Sequence, residues 1–412
     1  TARVQALLDA VAGAAADGLD PSIYGLDTLA RRHEEARKGI LRARGFDRAD
    51  AGAIDVRLTY TYLQFASDLA DGISDLASTD PSWQMRPPRF AARAHLSKAL
   101  EDGDIGAALE SLKPKNPEYL ALRTLLAKYR GANADDGNAR AKLDDKSDAD
   151  RIRQIELNLE RWRWAPRARG ERHIIVNIPA YRLDVWNGDK IDLTMRVVVG
   201  KKDTPTPIFN GEMTYLVFSP YWNVPPDIAT GETLPAVMRD PDFLARTNME
   251  ILDAAGKVVD PESVDLDRPD AYRFRQRPGA ENSLGLVKFM FPNAHNVYLH
   301  DTPADSLFAR KTRSFSHGCV RLEQPQALAE YVLRDQPEWT REKIEGAMHA
   351  GDERTVRLRT PMPVYLGYWT VDVAPDGAVT FVPDVYGIDA RQSRTLANRV
   401  AQIRSTTQIA ER

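Results

Sequence analysis

Two changes of character along the chain predict its fold class, an N-terminal all-α part followed by a mainly-β domain that carries a long insert. Residues 1 to about 130 are rich in Ala, Leu, Arg, Asp and Glu, with apolar residues at helical spacing. From His173 onward the apolar residues become β-branched and aromatic, in short runs separated by turns. At 412 residues the chain also exceeds what one hydrophobic core usually serves, so a multi-domain protein is expected on length.

In chain order, IDVRLTYTYLQFASDLADGI places Ile54, Leu58, Tyr62, Phe65 and Leu69 three and four residues apart, which predicts a helix with one apolar face. The surrounding 1–130 region reads as a helical scaffold whose charges cover a solvated surface and which has no chemistry of its own. GANADDGNARAKLDDKSDA, residues 131–149, is polar, small and charged and predicts a linker. A connecting helix follows in IRQIELNLERWRW, with Ile155, Leu159 and Trp162 on one face, so linker and helix together fill 131–165. HIIVNIPAYRLDVWNGDKIDLTMRVVVG then gives two strand-like runs about Asn187-Gly188, a strong hairpin signal. Further strands are predicted in MTYLVFSPYW, HNVYLHD and RTVRLRTPMPVYLGYWTVDV. Residues 227–282 interrupt this pattern and are too long for a plain connection; long loops of this kind often serve as lids. The last stretch, 391–412, is expected to be a helical tail.

Composition excludes several classes of function. With 56 basic and 59 acidic residues the formal net charge is −3, so no global field is present to hold a nucleic acid. Hydrophobic residues at 43% and charged residues at 28% describe an ordinary folded protein. No apolar run approaches the roughly 20 residues that span a bilayer, and TARVQALLDAV lacks the pattern of a signal peptide. A single cysteine rules out an internal disulfide framework and any multi-cysteine zinc site.

That cysteine, Cys319, lies in SFSHGCVRLEQP. A thiol becomes a strong nucleophile as thiolate, and a neighbouring imidazole or backbone N–H groups promote that form. His317 is two residues away, and His300, at the end of the run HNVYLH, is placed to come across a turn to it. Gly318 allows a tight backbone path able to aim N–H groups at a developing oxyanion. Arg321 offers a fork for a carboxylate. Three readings stay open on these residues: a buried small hydrophobe, Cys–His catalysis, and a zinc site of Cys319, His300 and His317 with Asp301 as its one adjacent carboxylate.

His300, fifteen intervening residues and then Ser316-His317-Gly318-Cys319-Val320-Arg321 resembles the signature of the bacterial L,D-transpeptidases, the YkuD-type cysteine enzymes of peptidoglycan. The wider context NVYLHDTP, IVNIPAYRLDVW, VVVGK, SPYWNVPPDI and FVPDVYG is similar to the large Gram-negative branch of that family, over about 166–390, and DPSIYGLDTL resembles its scaffold region. The resemblance implies a YkuD-like β-sandwich as catalytic domain over 166–390, with the insert at 227–282 as a substrate-capping subdomain. It implies Cys319 as nucleophile, His300 as general base oriented by the backbone carbonyl of Asp301, and a loop of His317, Gly318 and Cys319 as oxyanion hole. Tyr298, Arg321, Trp222, Asn223 and Ser316 are then expected to meet substrate, with no metal and no cofactor. The implied partners are peptidoglycan tetrapeptide stems, donor and acceptor, handled by a monomer in the periplasm after removal of a signal peptide, with carbapenems as covalent inhibitors. Joining two third residues with loss of D-alanine is the usual product; related enzymes join first to third residues, hydrolyse the bond, attach or detach wall proteins, or exchange a D-amino acid. The family's small peptidoglycan-binding module has no counterpart beyond the short linker near 131–149.

Overall fold

The apolar spacing in IDVRLTYTYLQFASDLADGI is realised on one long helix. Helices α1 (Ala2–Ala12), α2 (Leu26–Arg37), α3 (Arg48–Asp71), α4 (Ala92–Asp102), α5 (Ile105–Ser111) and α6 (Pro117–Asp135) precede α7 (Asp148–Trp164). Tyr62, Phe65 and Leu69 of α3 are buried in a cluster with Leu7, Ile23, Ala99 and Leu109, and Leu58 packs against it. This computed structural model describes residues 2–38, 48–78, 80–86, 89–135, 147–240, 242–264, 271–374 and 376–409. Of the linker expected over 131–149, residues 136–146 lie outside the described residues.

Helix α7 begins at a capping box in which the Ser147 hydroxyl accepts from the Asp150 N–H and the Asp150 carboxylate accepts from the Ser147 N–H. The structure buries the expected apolar face and more of the helix besides. Ile155, Leu159 and Trp162 are buried, and so are Gln154, Asn158, Glu160, Arg161 and Arg163. Those polar groups are inside because each finds a partner. Glu160 accepts from the N–H groups of Ile73 and Ser74 at 2.6 and 2.7 Å, and Arg161 pairs with Asp389 at 2.6 Å and donates to Gln392 at 2.8 Å. Asp389 and Gln392 belong to the C-terminal helix Ile388–Ile409, whose Leu396 and Ile403 join the same cluster as α3. The segment read from sequence as a tail is therefore part of a helical core. Thr1–Arg169 and Tyr368–Arg412 form one compact unit and Gly170–Gly367 a second, so the β unit stops at 367 where the sequence reading carries it to 390.

The second unit is built on strands β1 (Arg172–Asn177), β2 (Arg182–Asn187), β3 (Lys190–Gly200), β4 (Phe209–Phe218), β5 (Trp222–Asn223), β6 (Met249–Leu252), β7 (Val258–Val259), β8 (Arg273–Gln276), β9 (Val287–Met290), β10 (Leu299–His300), β11 (Ser314–Ser316), β12 (Val320–Leu322) and β13 (Arg354–Gly367). The Asn187-Gly188 hairpin pairs β2 with β3, and Gly188 takes φ 58° as its turn type requires. The main sheet has the order β11-β3-β12-β10-β9-β4-β13-β1-β2, and the β2–β3 pairing closes it on itself. Its inward residues, among them Ile174, Val176, Val197, Leu216, Phe289, Leu299 and Val320, are buried. β9, β11 and β12 are too short to read from sequence; the closed sheet supplies the pairing that a run of three or four residues lacks by itself.

The insert has a small sheet, β5-β8-β6-β7, and a core of its own in Val224, Leu244, Ile251 and Phe274. It draws in Trp222 and Asn223, which precede the expected start at 227. Residues 241 and 265–270 of the insert lie outside the described residues. Among the described residues no helix is long and apolar enough to cross a membrane.

Candidate active site

Strands β10 and β12 run parallel with Leu299 opposite Val320 and His300 opposite Arg321, and the Val320 N–H donates to the Tyr298 carbonyl at 3.2 Å. Alternation along a strand sends Leu299 and Val320 into the core. It leaves Tyr298 and His300, Cys319 and Arg321 on the opposite face, gathered by register from segments nineteen residues apart. β9 extends this face, because Lys288 stands opposite His300.

His300 is buried, and its Nδ1 lies 2.5 Å from the Asp301 carbonyl oxygen, which fixes the ring and leaves Nε2 for chemistry. Burial, with the nearby charges of Arg321 and Lys288, lowers its pKa to about 3 against the opposing hydrogen bond to Asp301. The Asp301 carboxylate accepts from the Leu286 and Thr302 N–H groups at 2.7 Å each. Gly285 makes this possible, since at φ 61° a Cβ there would sit 2.3 Å from the Asp301 Cγ.

Cys319 is half-buried, with Sγ 3.9 Å from the Asn296 carbonyl. Burial pushes its thiol up to about 11, opposed by hydrogen bonds from the backbone and side chain of Tyr298 and by the charge of Arg321. The Tyr298 phenol is raised by burial and by its closeness to Cys319, and its ring meets that of His300 edge-on at 5.7 Å. The Nε of Arg321 is buried and has no hydrogen-bond partner among the described residues.

The loop before Cys319 is braced from inside. Gly318 adopts φ 119°, a conformation open to glycine, and its N–H donates to Ser316 Oγ at 3.1 Å. Ser316 Oγ donates in turn to the Cys319 carbonyl at 2.5 Å, and Thr206 Oγ1 donates to the Gly318 carbonyl at 2.8 Å. Gly318 thus contributes its conformation, not its N–H. The N–H groups of His317 and Cys319 have no partner among the described residues.

Four further expected site residues have side chains placed as follows. Ser316, expected at the substrate, is buried with its hydroxyl committed inside the loop. Trp222 pairs with Gln276 and packs against the core of the insert, while Asn223 beside it is exposed and pairs with Arg275. The His317 ring faces the insert, with Nε2 2.8 Å from Glu232 Oε1 and 3.4 Å from Lys201 Nζ. Cys319, His300 and His317 therefore do not converge as a thiolate–imidazole metal site would need, and no group of three or more His, Cys, Asp or Glu placed to hold a metal is found among the described residues. Lys288, Thr206 and Gly285 were missed in the sequence because no local spacing marks them.

The family of L,D-transpeptidase catalytic domains, YkuD, matches residues 171–363, and the scaffold-domain family matches 1–126. A putative L,D-transpeptidase of Haemophilus influenzae is 29% identical over 338 residues, which span 81% of this chain and 65% of that protein. The chain thus spans just under two thirds of the length of this curated relative. An L,D-transpeptidase from Mycobacterium smegmatis matches 48% of this chain and 58% of its own at 15% identity and a TM-score of 0.23. The Mycobacterium tuberculosis L,D-transpeptidase 1 matches 48% and 60% at 13% identity and a TM-score of 0.20. These two structural likenesses are too slight to add to the assignment. The two family matches give residues 171–363 a YkuD L,D-transpeptidase catalytic domain and residues 1–126 a scaffold domain, and the curated relative is similar across both.

Proposed function

We propose that the chain is a cysteine acyltransferase that cross-links peptidoglycan peptide stems. The observation that carries this reading is the shared face of Tyr298, His300, Cys319 and Arg321, set by the register of β10 and β12 inside the matched catalytic domain. The donor is a tetrapeptide stem. Cys319 Sγ attacks the carbonyl of the third residue as its proton passes to His300 Nε2, and the oxyanion is met by the N–H groups of Cys319 and His317 and by the Tyr298 hydroxyl. Collapse breaks the carbon–nitrogen bond, and His300 returns the proton to the departing D-alanine amine. An amine of a second stem then attacks the thioester, gives its proton to His300 and expels the thiol. Exchange of one amide for another needs no nucleotide, which suits a reaction outside the cytoplasm. Joining two third residues is the product this reading takes first.

Because the thiol stands near 11 and the imidazole near 3, the resting pair is neutral and proton transfer accompanies attack. The test is mass analysis of products from purified disaccharide-tetrapeptide. Cross-linked dimer plus free D-alanine is expected; tripeptide alone means hydrolysis, dimer joined through a first residue means the other linkage, and unchanged substrate overturns the reading.

A further inference from the structure

Across β9, β10 and β12 the register sets Lys288, His300 and Arg321 in one row on one face, an imidazole between two cations. Neither cation is closely matched by an anion. Lys288 Nζ lies 3.9 Å from Glu353 Oε2 and 3.5 Å from the Tyr221 carbonyl, both at the outer limit of such contacts, although its side chain is only 16% exposed. The Arg321 Nε is buried without a partner among the described residues. Burial depresses the pKa of both groups, as expected of cations taken from water without full compensation. An incoming anion would relieve that cost.

The proposed reaction says where an anion arrives. To take its proton, the departing amine nitrogen must lie within about 3 Å of His300 Nε2. In an α-amino acid the carboxylate carbon is two bonds beyond that nitrogen, so the terminal carboxylate of the donor falls beside His300, within reach of the side chains that flank it. Arg321 is one of these, already expected to meet a carboxylate. We propose that Lys288, on the other flank, is a substrate-binding residue that receives the terminal carboxylate of the donor stem and makes a free carboxyl terminus a condition of donor use. Its four-carbon stem can swing the ammonium from Glu353 toward the ligand without moving the sheet.

This rests on the acyl-transfer reading, and the experiment separates the two. D-Alanine release from a tetrapeptide donor, and D-alaninamide release from its carboxamide, are followed as kcat and KM for the wild type, Lys288→Met and Lys288→Arg. One charge-assisted hydrogen bond corresponds to a preference for the acid on the order of 10- to 100-fold in kcat/KM. Lys288→Met is expected to lose most of that preference through a raised KM for the acid, with the carboxamide little changed, and Lys288→Arg to restore it. Equal losses on both donors, with a lowered unfolding midpoint, would make Lys288 a structural bridge to Glu353 and overturn the assignment while leaving acyl transfer intact. Release from neither donor by the wild type would remove both.

Discussion

At the scale of single residues the site departs from the usual picture of an activated cysteine. Helix N-termini or an imidazolium commonly lower a catalytic thiol, whereas burial here raises Cys319 to about 11 and lowers His300 to about 3. One cause moves the two groups in opposite directions: burial disfavours the charged form, which is the deprotonated thiol and the protonated imidazole. A neutral pair has a measurable signature. Alkylation of the resting enzyme by iodoacetamide should accelerate about tenfold per pH unit from 7 upward, without levelling before pH 9, because the thiolate fraction keeps growing below the thiol pKa. A plateau reached below pH 8 would mean a pre-formed thiolate–imidazolium pair. Cys319 and His300 were legible in the sequence because a motif joins them. Lys288 was not, since its relevance comes from standing opposite His300 on a neighbouring strand. Thr206 was hidden for a similar reason, as it braces a loop more than a hundred residues further on.

Among the elements, the insert shows what residue patterns reveal and what they omit. Its length marked it as a separate feature, and the structure gives it a core and a four-stranded sheet. Glu232 of the insert bonds His317 of the loop before Cys319 at 2.8 Å, and nothing local to either residue announces that pairing across 85 positions. If this contact holds the insert over the acyl-enzyme, it limits the entry of water. Glu232→Ala should then raise the ratio of hydrolysed tripeptide to cross-linked dimer several-fold, on the scale of one lost charge-assisted hydrogen bond, while iodoacetamide still reaches Cys319 at the wild-type rate. An unchanged ratio would leave the Glu232–His317 pair a surface contact. Helix α7 gives the opposite lesson. Its pattern shows one buried apolar face, but periodicity ranks residues by polarity, and Arg161, paired with Asp389, and Glu160, held by the Ile73 N–H, are buried in spite of theirs.

For the whole molecule, the order of a helical part and a β part was readable because helical and alternating periodicities differ and the change near His173 is abrupt. The limits of the β part were not. Residues 368–373 continue its strand-like pattern in sequence, yet Val371–Val373 forms a hairpin with Val379–Phe381 that belongs to the helical unit. Strand propensity describes a pleated, half-buried surface and does not say which sheet will use it. The near-balanced charge offers no global field to hold a nucleic acid, and the residues read as chemical gather on one small face of the sheet. Acyl transfer through Cys319 requires that this residue carry the acyl group, which the mass of the intact protein reports directly. Full-length enzyme mixed with disaccharide-tetrapeptide in the absence of an acceptor amine should gain the mass of the disaccharide-tripeptide acyl group, release one D-alanine per adduct, and lose the adduct when an acceptor stem is added. Cys319→Ala should gain nothing. An adduct that persists in Cys319→Ala, or D-alanine released by that variant at the wild-type rate, would contradict the assignment of Cys319 as the acyl carrier.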